Sequence, residues 1–119
     1  MGKKGSTSGG PANIQTALKK ATTEMMVLHL LREKPMYTYE MMNEIEVRSN
    51  GAITFNTLYL SIYRLEEKGC IREYDKVMSE DNRTRIYFTI TDTGITYLDD
   101  LVKGYKQYTA ALALILELD

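Results

Sequence analysis

The chain has 119 residues, enough for one domain with a modest core that favours further burial against a partner. No apolar run reaches the roughly 18 residues a membrane span needs, and one cysteine and one histidine exclude an internal disulfide and a multi-histidine metal site. A net charge of −1 lacks the basic excess usual for nucleic-acid binders, so such a role must rest on how the charge is distributed.

Residues 1–11 are glycine, serine, lysine, threonine and proline without periodicity and read as a flexible arm. Met1–Ser6 formally matches an N-myristoylation pattern, although a flexible tail explains the same residues. No apolar stretch suggests a secretory signal, and the lone thiol of Cys70 fits a reducing, cytoplasmic setting. Asn13 is expected to cap a long helix carrying Ile14, Leu18, Ala21, Met25 and Leu28 at spacings of four and three. From Met25 to Leu31 the chain is apolar nearly all round, so this part must be buried on more than one side. His29 lies inside the run and is expected in the core or at an interface.

Pro35 ends that helix. Thr38 is expected to cap a second one, with Tyr39, Met42, Ile45 and Glu46 inward and Asn43, Glu44 and Arg48 outward. Asn50-Gly51 predicts a turn, Ala52-Ile53 a minimal strand, and Thr54 the cap of a third helix. Within that helix Leu58, Ile62 and Leu65 share one face by the i, i+4, i+7 rule, while Asn56, Leu60, Tyr63, Arg64 and Glu67 face the other way. Tyr59 is placed at the border of the two. Gly69 stands where a C′ glycine ends a helix.

Beyond Gly69 the period changes from helical to alternating. Ile71, Glu73, Asp75 and Val77 point one way and Cys70, Arg72, Tyr74 and Lys76 the other, the pattern of a strand that starts in the core. A polar break at Ser79–Asn82 and a second strand, Arg85–Ile90, complete a hairpin. Helix, glycine, strand, turn and strand make the end of a winged helix-turn-helix, whose second helix reads the major groove. Thr91 is expected to cap the tail helix, with Asp92 favourable in its first turn. Its apolar positions Leu98, Leu101, Tyr105, Tyr108, Leu112 and Ile115 are separated by 3, 4, 3, 4 and 3, a heptad seam. Its last turns are too apolar for a helix alone in water, and packing on a second copy would explain both them and Met25 to Leu31. No stable folded monomer is therefore expected.

The fold expected is mainly helical: an arm over 1–11, a winged helix-turn-helix over 12–90 that includes the N-terminal helix, and a dimerisation helix over 91–119. Lys3, Lys4, Lys19, Lys20, Arg64, Lys68, Arg72, Arg83 and Arg85 gather near the arm, the third helix and the wing, while Asp99, Asp100, Glu117 and Asp119 lie on the tail. A DNA-binding dimer could use that asymmetry. The expected DNA contacts are Asn56, Thr57, Tyr59, Leu60, Tyr63, Arg64, Lys68, Arg83 and Arg85. The expected dimer contacts are Met25, Leu28, Leu98, Leu101, Tyr105, Tyr108, Leu112 and Ile115. Glu80 and Asp81 in the wing turn would repel phosphate, so contact is expected from the wing strand rather than its tip. With no phosphate loop, paired histidines or nucleophile elbow, no enzyme, metal or cofactor is expected. The competing reading is a winged-helix dimer that acts through protein partners without sequence-specific DNA binding.

Several of these residues also carry a family resemblance. Thr57-Leu58-Tyr59, Leu65-Glu66-Glu67-Lys68-Gly69, Arg85-Ile86-Tyr87 and Thr91-Asp92-Thr93-Gly94 resemble the PadR-like transcriptional regulators, and Tyr37-Thr38-Tyr39-Glu40-Met41 looks like their glycine-tyrosine-glutamate-leucine segment. The resemblance runs from about Thr23 to Gly94. It implies a small bacterial homodimeric repressor that binds a palindromic operator, and the short tail resembles the compact subgroup with a single C-terminal helix. In that subgroup a flat apolar effector is held between the tail helices against an aromatic residue, at the place where Tyr105 falls; the alternative is ordinary interface packing. Leu60 and Thr38 depart from the family, which usually has proline and glycine there.

Overall fold

The computed structural model describes residues 11–118. Residues 1–10 of the arm expected over 1–11, with the acylation pattern and Lys3 and Lys4, and Asp119 lie outside the described residues, and Pro11 belongs to the first helix. The elements in order are α1 (Pro11–Glu33), β1 (Met36–Tyr37), α2 (Thr38–Arg48), α3 (Tyr59–Glu67), β2 (Ile71–Met78), β3 (Thr84–Ile90) and α4 (Asp92–Leu116). The result is the mainly helical winged helix-turn-helix expected, with a long helix at each end.

Proline opens α1 at Pro11, a position where its missing N–H would have no partner anyway. Asn13 therefore lies inside the helix and does not cap it. Only the second half of α1 is core: Val27, Leu28, Leu30 and Leu31 are buried, whereas Ile14 and Leu18 remain exposed. His29 is not in the core. Its ring is exposed and its Nε2 lies 3.3 Å from Glu33, one turn along.

In α2 the inward residues are Met41 and Ile45, with Met42 half-buried, while Tyr39 and Glu46 are exposed. Its inner face is thus shifted from the expected one. Thr38 is the first helical residue and not the cap; Tyr37 holds that place in an extended conformation. That conformation also lets Met36 and Tyr37 pair with Phe88 and Tyr87, so the third strand of the sheet is β1 and not Ala52-Ile53, which is irregular. The sheet is antiparallel in the order β1-β3-β2.

The turn after α2 is as expected, with Asn50 and Gly51 both at positive φ. Gly69 also has positive φ. There its N–H donates to the Glu66 carbonyl (2.9 Å) and that of Cys70 to the Leu65 carbonyl (2.9 Å), the paired bonds of a Schellman ending. Cys70 enters the core, as its place at a strand start predicts, and Ile71 is buried beside it, although the alternation sets the two on opposite faces. The alternation fails further on, because the pairing of β2 with β3 slips between Glu73 and Asp75, leaving Tyr74 as an extra residue. Every residue of β2 after Ile71 is exposed, and the bulge twists an edge that could otherwise pair with another chain.

Thr91 caps α4 as expected, its Oγ1 accepting from Gly94 N–H (3.1 Å) and donating to the Gly69 carbonyl (2.6 Å). A Cβ on Gly94 would collide with the Cys70 carbonyl, so glycine lets the first turn of α4 lie directly on the end of α3. From there Leu98 reaches the common core formed by Leu28, Leu31, Met36, Met41, Leu58, Leu65 and Phe88. Arg32 and Asp99 tie α1 to α4 at the surface (3.3 Å).

Candidate nucleic-acid interface

Helix α3 is positioned by one face. Leu58, Ile62 and Leu65 are at most 5% exposed, which fixes the rotation of the helix and turns Leu60, Tyr63 and Arg64 outward. The helix begins at Tyr59, later than Thr54 would have it, and Thr57 Oγ1 accepts from the Tyr59 N–H (3.1 Å). Asn56 and Thr57 thus stand just ahead of the first turn, where free backbone N–H groups favour an anion. Tyr59 is not at the border of the core but the most open of the group, 81% exposed. The Arg64 carbonyl accepts from Lys68 N–H (3.0 Å), but its side chain makes no hydrogen bond or ion pair among the described residues, which leaves the guanidinium available.

Between α3, β1 and the wing lies a cleft of about 740 Å³. Tyr37, Tyr39, Tyr59 and Tyr63 line it together with Arg83 and Arg85. The Arg85 guanidinium sits 4.7 Å from the centre of the Tyr37 ring, and Tyr87 meets that ring edge-on at 5.3 Å. The wing strand therefore presents Arg85 on an aromatic base, beside the exposed face of α3.

Carboxylates share this cleft. Glu66 and Glu73 line it, and burial, with the Glu73 charge second, pushes the Glu66 carboxyl above its ordinary range. At the wing turn Ser79 donates to Asp81 and holds its carboxyl low, so it stays charged. Arg83 Nε lies 3.6 Å from it, a contact open enough to water to be weak. Asn82 takes positive φ there, and Asn82 N–H donates to the Ser79 carbonyl (3.0 Å).

Lys68 faces elsewhere. Its Nζ donates to both oxygens of Glu24 (3.1 Å each) and to the Tyr97 hydroxyl (2.9 Å), which in turn donates to Glu24 (2.7 Å). The Tyr97 and Glu24 bonds raise the Lys68 pKa above the ordinary lysine value. Expected among the DNA contacts, this lysine instead ties the end of α3 to α1 and α4. Its partners are 44 and 29 residues away, beyond the reach of any local pattern.

The expected dimer contacts divide in two. Leu28 (0% exposed) and Leu98 (2%) are buried within the chain's own core, so their burial requires no second copy; the helical spacing could not tell an internal partner from an external one. Met25 and Leu101 are half-buried against that core. Tyr105, Tyr108, Leu112 and Ile115 are exposed, as are Leu114, Leu116 and Leu118 around them. Tyr105 also closes a second cavity of about 390 Å³ with Leu18, Lys19, Ile53 and Thr54. The sequence places Lys19 only within a cluster of charge. In the fold it donates to the Thr54 carbonyl (2.5 Å) and lies over the Phe55 ring, fixing the loop that leads into α3.

Comparison with known proteins adds to this geometry. Residues 27–100 match the transcriptional regulator PadR-like family. A curated relative from Lysinibacillus sphaericus, described as an uncharacterized protein, is 31% identical over 106 residues, 87% of this chain and 96% of its own length. The structure of a transcriptional regulator from Clostridium thermocellum matches with a TM-score of 0.73 at 26% identity, covering 81% of this chain and 94% of that one. Bacillus subtilis PadR in complex with operator DNA matches with a TM-score of 0.60 at 18% identity, over 68% of this chain and 47% of that one; this is a likeness of fold.

Proposed function

The chain belongs to the PadR-like family of transcriptional regulators, and from that premise we propose that it is a homodimeric repressor that holds a palindromic operator through α3 and the wing. The observation that carries this reading is the outward face of α3. Tyr59, Leu60, Tyr63 and Arg64 are all open to solvent while the opposite face is filled by the core, and Arg83 and Arg85 stand across a cleft beside it. Two such helices related by a two-fold axis would enter successive major grooves, with half-sites about 10 bp apart or a multiple of that. Arg64 contacts a guanine edge or a phosphate, the tyrosine hydroxyls and the N–H groups near Asn56 and Thr57 contact phosphate, and Arg83 and Arg85 neutralise the strand passing the wing.

The second copy docks on the exposed half of α4. Tyr105, Tyr108, Leu112 and Ile115 continue the spacing that Leu98 and Leu101 begin, and a helix with such an open apolar end is stabilised by a matching one. A flat apolar effector binds against Tyr105 and releases the operator. Tyr105 already borders a cavity shared with Thr54, in the loop ahead of α3, so a molecule seated there would press on the segment that positions the reading helix.

The test is binding of the full chain to the DNA upstream of its own coding region. A protected inverted repeat, with two protomers bound per duplex, is expected. Equal affinity for that DNA and for an unrelated duplex would instead favour a winged-helix dimer that works through protein partners.

A further inference from the structure

Leu60 is an exposed leucine in the second position of α3, and among the described residues it takes no part in the hydrophobic core. At about 100° per residue it falls opposite the centre of the arc buried by Leu58, Ile62 and Leu65. It is 58% exposed, with Tyr63 on one side and Arg64 on the other. Leu60 is therefore the aliphatic side chain of the helix turned most directly away from the core, and it lies at the N-terminal end, from which a helix-turn-helix reaches base edges. Leaving a leucine in water forgoes the gain from burying it, and that gain is recovered when the surface is covered by an apolar group.

A leucine side chain has neither donor nor acceptor and cannot read the polar edges of guanine, adenine or cytosine. The major groove offers it one apolar group, the C5-methyl of thymine. We propose that Leu60 packs on the C5-methyl of a thymine in each half-site, making this residue a determinant of sequence preference. The inference rests on the placement of α3 in the groove proposed above. 5-Methylcytosine carries the same methyl at the same place and should satisfy Leu60 where cytosine does not.

The test begins with the tightest duplex that the full-length protein selects from a random pool. Each thymine is replaced in turn by deoxyuridine, which removes the methyl and keeps every hydrogen-bonding group. One thymine in each half-site is expected to matter, its replacement lowering affinity about fourfold, the worth of one methyl-sized group withdrawn from water. At that position 5-methylcytosine should bind tighter than cytosine by a similar factor, and neither difference should depend on salt. Leu60→Ala, which alters only an exposed side chain, should fold normally and lose both differences. Deoxyuridine without effect at every thymine, or an effect that persists in Leu60→Ala, would overturn the assignment while leaving DNA binding intact. A pool from which no sequence is selected would instead remove the DNA-binding reading, and this inference with it.

Discussion

Helices α3 and α4 each carry an apolar stripe at helical spacing, and the fold completes only one of them. In α3 the stripe of Leu58, Ile62 and Leu65 closes on the chain's own core. In α4 the stripe is closed at its start and open beyond it: Leu98 is 2% exposed, whereas Tyr105, Tyr108, Leu112 and Ile115 are all exposed, Leu112 least at 37% and Ile115 most at 76%. The outward faces differ as well. On α3 the exposed tyrosines and Leu60 stand among Arg64, Arg83 and Arg85, a setting suited to phosphate and bases. At the end of α4 the exposed groups stand among further leucines and alanines, a setting suited to another helix. An apolar stripe shows that a helix packs; the exposure along it shows where the internal core stops, and it is there that the proposed second copy would begin.

The comparison breaks most severely if the closed stripe is cut. Leu65→Ala should cost about 2–5 kcal/mol, measured by urea unfolding, and DNA binding should disappear with the fold. Cutting the open stripe should have a different outcome. Because Leu28 and Leu98 close inside one chain, Leu112→Glu with Ile115→Glu should leave a folded but weakened monomer in sedimentation equilibrium, in place of the unfolded one expected without a partner. Its operator affinity should drop by about 10²–10⁴-fold, as two half-sites are no longer held together.

Lys68 sharpens the boundary between the two helices. Lys68→Met should cost about 1 kcal/mol of stability, allowing for its half-exposed position, and should leave the salt dependence of DNA binding unchanged. Since folding raises this pKa, the stability it adds is present below the ordinary lysine value of 10.5. It is lost as the pH rises through the folded value above that, and the melting temperature of the parent should fall towards that of the variant there. The smallest effect is expected in the cleft. Glu66→Gln removes a charge that would face phosphate and should raise DNA affinity about two- to threefold at neutral pH. As pH falls through the raised Glu66 pKa the parent becomes protonated too, and the two affinities should converge.

Much of this arrangement was legible in the sequence where the cause is local. Leu58, Ile62 and Leu65 set the face of α3, Gly69 its end, Asn50-Gly51 a turn and Thr91 the start of α4, and each depends on residues within a turn or two. What escaped was set at a distance. Met36-Tyr37 is too short to show alternation, and it is a strand only because Tyr87 and Phe88 lie beside it. The inner face of α2 depends on which side meets the core, and its mixed residues Tyr39, Met41, Met42 and Glu46 fit more than one rotation. Lys68 reads as a DNA contact in the sequence because its ties to Glu24 and Tyr97 come from other helices. The outward residues of α3 were legible as an exposed face; the cleft that joins them to Arg83 and Arg85 depends on how the wing folds back.

Arg64 allows the most direct test of the central claim, that the outward face of α3 lies against DNA. The affinity of the parent and of Arg64→Ala for the same selected duplex is titrated against salt, alongside a scrambled duplex of equal length. Both proteins should have nearly the same melting temperature and the same dimer, because the side chain is exposed and makes no ion pair among the described residues. If Arg64 meets a base, the variant should lose about 1–3 kcal/mol of binding and discriminate less at one position; if it meets a phosphate, all duplexes should weaken alike and the salt slope should fall by about one. A folded variant that binds the selected duplex as tightly as the parent, with the same slope and the same preference over the scrambled one, would contradict the placement of α3 in the groove.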